Sequence, residues 1–156
     1  MTERSRATYL AHAATTDRII GTMYDVHREL GYGFSEVVYR RAMALALRTA
    51  GATVIEEAPI HVQFREHLIG EFRADLVVDG CVLVEVKAGA DLQPYAETQL
   101  LNYLKAAGGG VGLIINFGRS ASFKRRVFGD ATSTSLPNLK SPRRSFPNRP
   151  ASDDCH

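Results

Sequence analysis

Two hydrophobic periods run along this chain, and the switch between them divides it. In the first part the period is helical: Ile19, Ile20, Met23, Val26, His27 and Leu30 recur three and four apart. Thr16-Asp17 predicts where this helix starts and Gly31 where it stops. Gly31-Tyr32-Gly33 reads as a tight connection. Gly33 or Ser35 then caps a second helix running to about Ala50, with Val38, Ala42, Leu45 and Ala46 as its apolar face. Beyond Gly51 the period shortens. Thr53–Glu57 predicts a short strand, and after Pro59 the run Ile60–Phe64 alternates apolar and polar, as a half-buried strand does. A turn at Arg65-Glu66-His67 returns the chain through Leu68–Phe72 into FRADLVV, Asp79-Gly80 and CVLVEVK. Asp-Gly between two β-branched runs signals a hairpin. Pro94 opens a third helix to about Ala107, broken by Gly108-Gly109-Gly110. Val111–Phe117 is almost continuously apolar, so this strand is expected to be covered on both faces. Ser122–Phe128 reads as one more short strand or a turn of helix.

The expected element order is ααββββαβ, an α/β (α+β) fold with a central mixed β-sheet flanked by helices. Residues 1–15 lack a period and are expected to form a flexible N-terminus. One domain is expected over residues 16–128. Residues 129–156, rich in Ser, Pro, Arg and Asn, read as a disordered basic tail.

Composition narrows the picture. A chain of 156 residues with 45% hydrophobic content fits one globular core. No apolar run approaches the roughly 20 residues of a membrane span, and the N-terminus lacks the apolar stretch of a signal peptide. Cys81 and Cys155 give neither a disulfide framework nor a zinc spacing, so a cytoplasmic location is expected. The net charge of +2 conceals an asymmetry: residues 1–117 carry 11 Lys and Arg against 14 Asp and Glu, whereas residues 118–156 carry 8 against 3. The basic excess is C-terminal, consistent with a nucleic-acid footprint or with a solvated tail.

The candidate chemistry sits in the hairpin. Asp75, Glu85 and Lys87 interrupt apolar strands, where charge must be paired or bind a metal. Glu85 and Lys87 lie two apart and share a face. A two-residue turn would set Asp75 opposite Val84, facing away from them. A three-residue loop Val78-Asp79-Gly80, or a bend at Asp75, brings all three together. Such a trio can hold a hard divalent cation with an ammonium beside it. The structural alternative makes Asp75 a solvated strand end and Glu85–Lys87 a surface ion pair.

Further motifs accompany the trio: Gly33-x-x-Glu36-x-x-Tyr39 after Val26-His27-Arg28-Glu29-Leu30-Gly31, then Gln99-Leu100-Leu101-Asn102-Tyr103-Leu104 and Leu113-Ile114-Ile115-Asn116-Phe117. With Asp75-x9-Glu85-x-Lys87, this series over residues 17–128 resembles the small bacterial and archaeal GxxExxY proteins of the PD-(D/E)xK nuclease superfamily. The resemblance implies a restriction-endonuclease-like core and Mg2+ or Mn2+ as cofactor. Asp75, Glu85, the Val86 carbonyl and Glu36 would be metal ligands. Lys87 would act on the attacking water and the phosphate, and Gln99 would orient water or contact the phosphate. Ala74 departs from the pattern, standing where its proline often does. The implied activity is phosphodiester hydrolysis in nucleic acid, DNA before RNA, with a homodimer possible. The alternative is a non-catalytic module binding nucleic acid or protein, for no recognition helix or zinc finger is visible. Tyr39 and Tyr103 are expected to be core residues with bonded hydroxyls. His27 is expected to pack on its helix face, and His61 and His67 sit in a hairpin with no partner spacing.

Overall fold

The computed structural model describes residues 2–129 and Leu136. Three helices come first: α1 (Glu3–Leu10), α2 (Ala13–Leu30) and α3 (Glu36–Thr49). Strands β1 (Val54–Phe64), β2 (His67–Val78) and β3 (Val82–Lys87) follow, then helix α4 (Pro94–Ala106) and strands β4 (Gly110–Phe117) and β5 (Ala121–Phe128). The five strands form one sheet in chain order. Neighbours are antiparallel except β3 and β4, which run parallel with α4 as the crossover between them. The sheet is therefore mixed and flanked by helices, as expected.

The two faces have separate cores. Ile19, Met23 and Val26 of α2 and Tyr39, Met43 and Leu47 of α3 pack on Leu76, Val78, Val82, Val84, Val86, Leu113, Ile115 and Phe117. On the other face Ala96, Leu100 and Leu104 of α4 pack on Val77, Leu83, Ile114, Ala58 and Ile60. β3 and β4 are covered on both sides, which is why their sequences run apolar without alternation.

Several boundaries differ from the sequence reading. The first residues form α1 rather than a frayed segment, and α2 begins at Ala13, three residues before Thr16. The Ala-rich stretch favours helix, and the break between α1 and α2 falls at His12, whose backbone is left-handed (φ 57°). In α3 the apolar face is rotated from the expected one. Val38 and Leu45 are exposed, while Tyr39, Met43 and Ala44 are buried. Tyr39 is buried as expected of a core residue, and Met43 joins it on the inward face where Val38 and Leu45 were expected.

The two short strands expected on either side of Pro59 are one strand, β1. It lies at the sheet edge, so the proline removes no ladder hydrogen bond on its open side. Ser122–Phe128 is a strand, part of β5. The element order is thus αααβββαββ rather than ααββββαβ. Of the expected tail, only Gly129 and Leu136 are described. Leu136 is buried against the α4-side core, and its N–H donates to the Gly80 carbonyl at 3.0 Å. The remainder of that expectation lies outside the described residues.

One feature of the β1–β2 ribbon positions the chemistry. Val54 and Leu76 pack under α2 and α3, but Ala58 and Ala74 pack on the α4 side. Both strands change faces between these pairs, at Glu57, which has φ 50°, and at Asp75. The pairing of β2 with β3 ends at Leu76↔Val84, so the ribbon peels away from β3 where Asp75 begins.

Candidate active site

Beyond the last β2–β3 pair the main chains no longer bond directly, and side chains bridge them. The Val86 N–H donates to Asp75 Oδ2 at 2.7 Å, and the Asp75 N–H donates to Glu85 Oε1 at 3.2 Å. The two carboxylates thus replace missing ladder partners and are drawn together. The expected three-residue loop is present but falls one residue later than expected, at Asp79-Gly80-Cys81, because Val78 pairs with Val82. Asp79 and Gly80 both have positive φ, and the Cys81 N–H closes the turn on the Val78 carbonyl. The parity is unchanged, so Asp75 meets Glu85.

Glu85 is only 4% exposed. Burial, reinforced by the negative charge of Asp75, pushes its carboxyl up to about 8, against the smaller downward pull of the Asp75 N–H and Lys87. Lys87 Nζ donates to Gln99 Oε1 at 3.3 Å, and Gln99 Nε2 donates to Tyr103 Oη at 2.8 Å. A lysine can only donate, which fixes the orientation of the glutamine amide. Tyr103 is buried against Phe72, ring centroids 4.9 Å apart, and burial with the nearby Glu85 raises its phenol. Asp75, Glu85, Lys87 and Gln99 therefore meet between β3 and the first turns of α4.

Glu36 arrives separately. Gly33 has φ 111°, and Tyr39 fastens the loop before α3: its hydroxyl donates to the Gly31 carbonyl at 2.7 Å and accepts from the Phe34 N–H at 3.4 Å. The Tyr39 ring stacks on Phe117 at 4.3 Å. This core role, expected for Tyr39, sets the N-terminal turn of α3 and with it Glu36, which is exposed and lines a cleft of about 220 Å3 together with Lys87, Gln93, Tyr95 and Asn116. Glu36 reaches the neighbourhood of Lys87 but does not complete a three-acid cluster. Among the described residues no three His, Cys, Asp or Glu side chains are placed to hold one ion.

His27 stacks on Phe117 and bonds the Gly118 carbonyl at 2.8 Å, a packing role as expected. His61 faces Glu71 across the ribbon at 3.3 Å. In β5, Lys124 and Arg126 both pair with Glu97 of α4, which holds that carboxyl below its usual range.

Asn116 was overlooked. It lies beside Lys87 in the parallel pair and is 2% exposed. Its Oδ1 accepts from the Gly89 N–H at 3.1 Å, and its Nδ2 donates to the Gly89 carbonyl at 2.9 Å. This pair of hydrogen bonds ties the loop after Lys87 to the end of β4. A Cβ on Gly118 would meet the Gly89 carbonyl at 2.7 Å, so the two backbones pack directly. The available signal was a polar amide ending a wholly apolar strand. Asn116→Ala is expected to lower stability by about 2 kcal/mol. The same change should speed hydrogen exchange at the Gly89 amide, read by melting and by exchange measurements.

The donor set fits a hard divalent cation. Two carboxylates are held side by side, one pushed toward protonation by its burial and then by the other's charge, which is the electrostatic setting a cation relieves. A family model described as the PD-(D/E)XK nuclease superfamily matches residues 13–127. No curated protein and no solved structure matches the chain.

Proposed function

The chain belongs to the PD-(D/E)XK nuclease superfamily, and on that premise we propose that it hydrolyses phosphodiester bonds of nucleic acid, DNA before RNA, with Mg2+ or Mn2+. The observation that carries this reading is the bridged pair Asp75–Glu85 with Lys87 two residues on, all at the open end of β3. The Gly33, Glu36 and Tyr39 series supports placing the chain among the GxxExxY proteins.

Asp75, Glu85 and the Val86 carbonyl would hold the metal, while Glu36 of α3 lines the cleft beside Lys87 without joining that ligand set. When bound, the metal supplies charge neutralisation at the phosphate and a more acidic water. The chain's own groups do the rest. Lys87 Nζ, with Gln99 as its hydrogen-bond acceptor, donates to the attacking water or to a phosphate oxygen. Gln99, anchored by Tyr103, holds that ammonium in place and limits its reach. The Gly89 loop, fixed by Asn116, closes the cleft beside Lys87. A cytoplasmic place of action goes with this reading; no helix among the described residues is long and apolar enough to cross a membrane. A homodimer would cover Phe64, Leu68 and Ile69, exposed apolar side chains at the ribbon tip.

Purified protein is expected to cut DNA in millimolar Mg2+ or Mn2+ and to stop when EDTA is added, read on gels of labelled plasmid and linear DNA. Cleavage that survives EDTA counts against the reading. The alternative, a module that binds without cutting, draws on one observation: the lack of a third acidic side chain beside Asp75 and Glu85 among the described residues. Titration calorimetry with Mn2+ separates the two, since absence of binding at millimolar ion favours the module.

A further inference from the structure

The cleft beside Lys87 does not end at Gly89. It shares Ala88, Gly89 and Asp91 with a larger cleft of about 700 Å3 that runs on to Tyr32, Phe34 and Arg119. Three aromatic rings stand along this combined groove with their surfaces open: Tyr95 at 73% exposure, Tyr32 at 57% and Phe34 at 49%. Rings of this size are normally withdrawn from water, and a row of them in one groove marks a binding surface.

Two of the rings are held rigidly. The loop that carries Tyr32 and Phe34 is fastened by the Tyr39 hydroxyl to Gly31 and Phe34. Phe34 also meets the Tyr39 ring edge-on, centroids 6.1 Å apart. The Arg119 guanidinium lies over the Tyr32 ring, 5.6 Å from its centroid. Arg119 lines the larger cleft, and no carboxylate pairs with it among the described residues. Ser120 and Ser122 add hydroxyls on the same wall. Asp91, which lines both clefts, and Glu36, which lines the smaller, disfavour phosphate beside them and leave Arg119 as its place.

We propose that this groove is a track for an unpaired strand next to the bond to be cut, with bases stacked on Tyr32 and Phe34 and a backbone phosphate on Arg119. The inference rests on the nuclease reading and deepens it: the substrate is a single strand, a flap or an overhang rather than an intact duplex. Bases inside a duplex are stacked on one another and offer no face to a protein ring, whereas an unpaired strand offers one per nucleotide. Continuity with Lys87 makes the strand being cut the natural occupant.

Binding is measured on the full chain carrying Lys87→Ala, in EDTA, by fluorescence anisotropy. The probes are a labelled single strand of about 15 nucleotides, within reach of such grooves, and a blunt duplex of the same sequence. The single strand is expected to bind at least about tenfold tighter than the duplex. Adding Tyr32→Ala and Phe34→Ala together should weaken it by roughly tenfold or more, while Tyr32→Phe, which keeps the ring, should leave it unchanged. Arg119→Ala should reduce the salt dependence by about 0.7 in log–log slope. Equal or tighter duplex binding, or unchanged affinity in the double variant, overturns the proposal. Binding to neither probe overturns it too and leaves the groove to a protein partner. Hydrolysis is assayed separately on the chain with Lys87 intact. Cutting unaffected by the groove substitutions defeats the track alone, and strand binding without any cutting defeats the nuclease reading alone.

Discussion

Lys87→Ala is expected to abolish metal-dependent cleavage, by roughly a thousandfold or more, while the melting temperature stays within a few degrees of the parent. The lysine is only half-buried, and its ammonium bonds Gln99, so little of the core depends on it. Lys87→Arg should not rescue activity, because a planar guanidinium does not reproduce a compact ammonium in the same space. The partner substitution needs more care. Asp75→Ala would strand the Val86 N–H, which now donates to the carboxylate at 2.7 Å, and a loss of activity could then reflect a loosened strand end. Asp75→Asn keeps an oxygen for that N–H and removes the charge, so it isolates chemistry from folding. If either Lys87→Ala or Asp75→Asn protein cut DNA at the parent rate, the hydrolytic reading would fall.

The second large effect is in stability against pH. Without metal the Glu85 carboxyl is held up to about 8, by burial first and Asp75 second, whereas in the unfolded chain it returns to about 4.5. Between those values the folded chain keeps a proton that the unfolded chain has released. This contribution to stability is full below about pH 4.5 and is lost as pH rises through about 8, so the metal-free protein weakens across that window by on the order of 4 kcal/mol. Glu85→Gln, neutral at every pH, should flatten the slope and melt higher than the parent above pH 8. Mg2+ should have the opposite dependence. Ions bind the deprotonated pair, so the rise in melting temperature on adding Mg2+ should grow from pH 6 to pH 8. Thermal melts with and without the ion, across pH, read both effects. A parent protein whose metal-free stability rises toward pH 8 while that of Glu85→Gln stays flat would contradict this account of Glu85.

The hairpin chemistry was legible because its signals are local. Asp-Gly fixed a turn, the β-branched runs fixed two strands, and parity limited which loop lengths could bring Asp75 to Glu85. The loop needed one residue more than its minimum, and the sequence could not say on which side. Val78 or Cys81 would serve the parity equally, and burial of Cys81 with its N–H on Val78 settles the choice. Pro59 misled because a proline inside a strand reads as a break unless the strand is known to lie at the edge, a property of the whole sheet. Leu45 and Val38 misled for a related reason: α3 buries Tyr39 and Met43, and which side of a helix faces inward depends on what Phe117, some eighty residues away, presents to it. The Asn116–Gly89 tie, 27 residues apart, and the aromatic groove, which joins Tyr32 and Phe34 to Arg119, were hidden for the same reason: their parts meet only in the folded sheet.

The parallel pairing of β3 with β4 has a consequence for how the protein is made. β1, β2 and β3 join through short turns, so Asp75 and Glu85 come together by local contacts that form early. Asn116 reaches Gly89 only after the crossover through α4 has been spanned and β4 has slotted in beside β3. On a ribosome that delivers the chain from its first residue, the strands that bear the acidic pair emerge before α4 and β4, which fasten the rest of the cleft. A half-finished polypeptide therefore carries the acidic pair without the Asn116 tie that fastens the loop beside it.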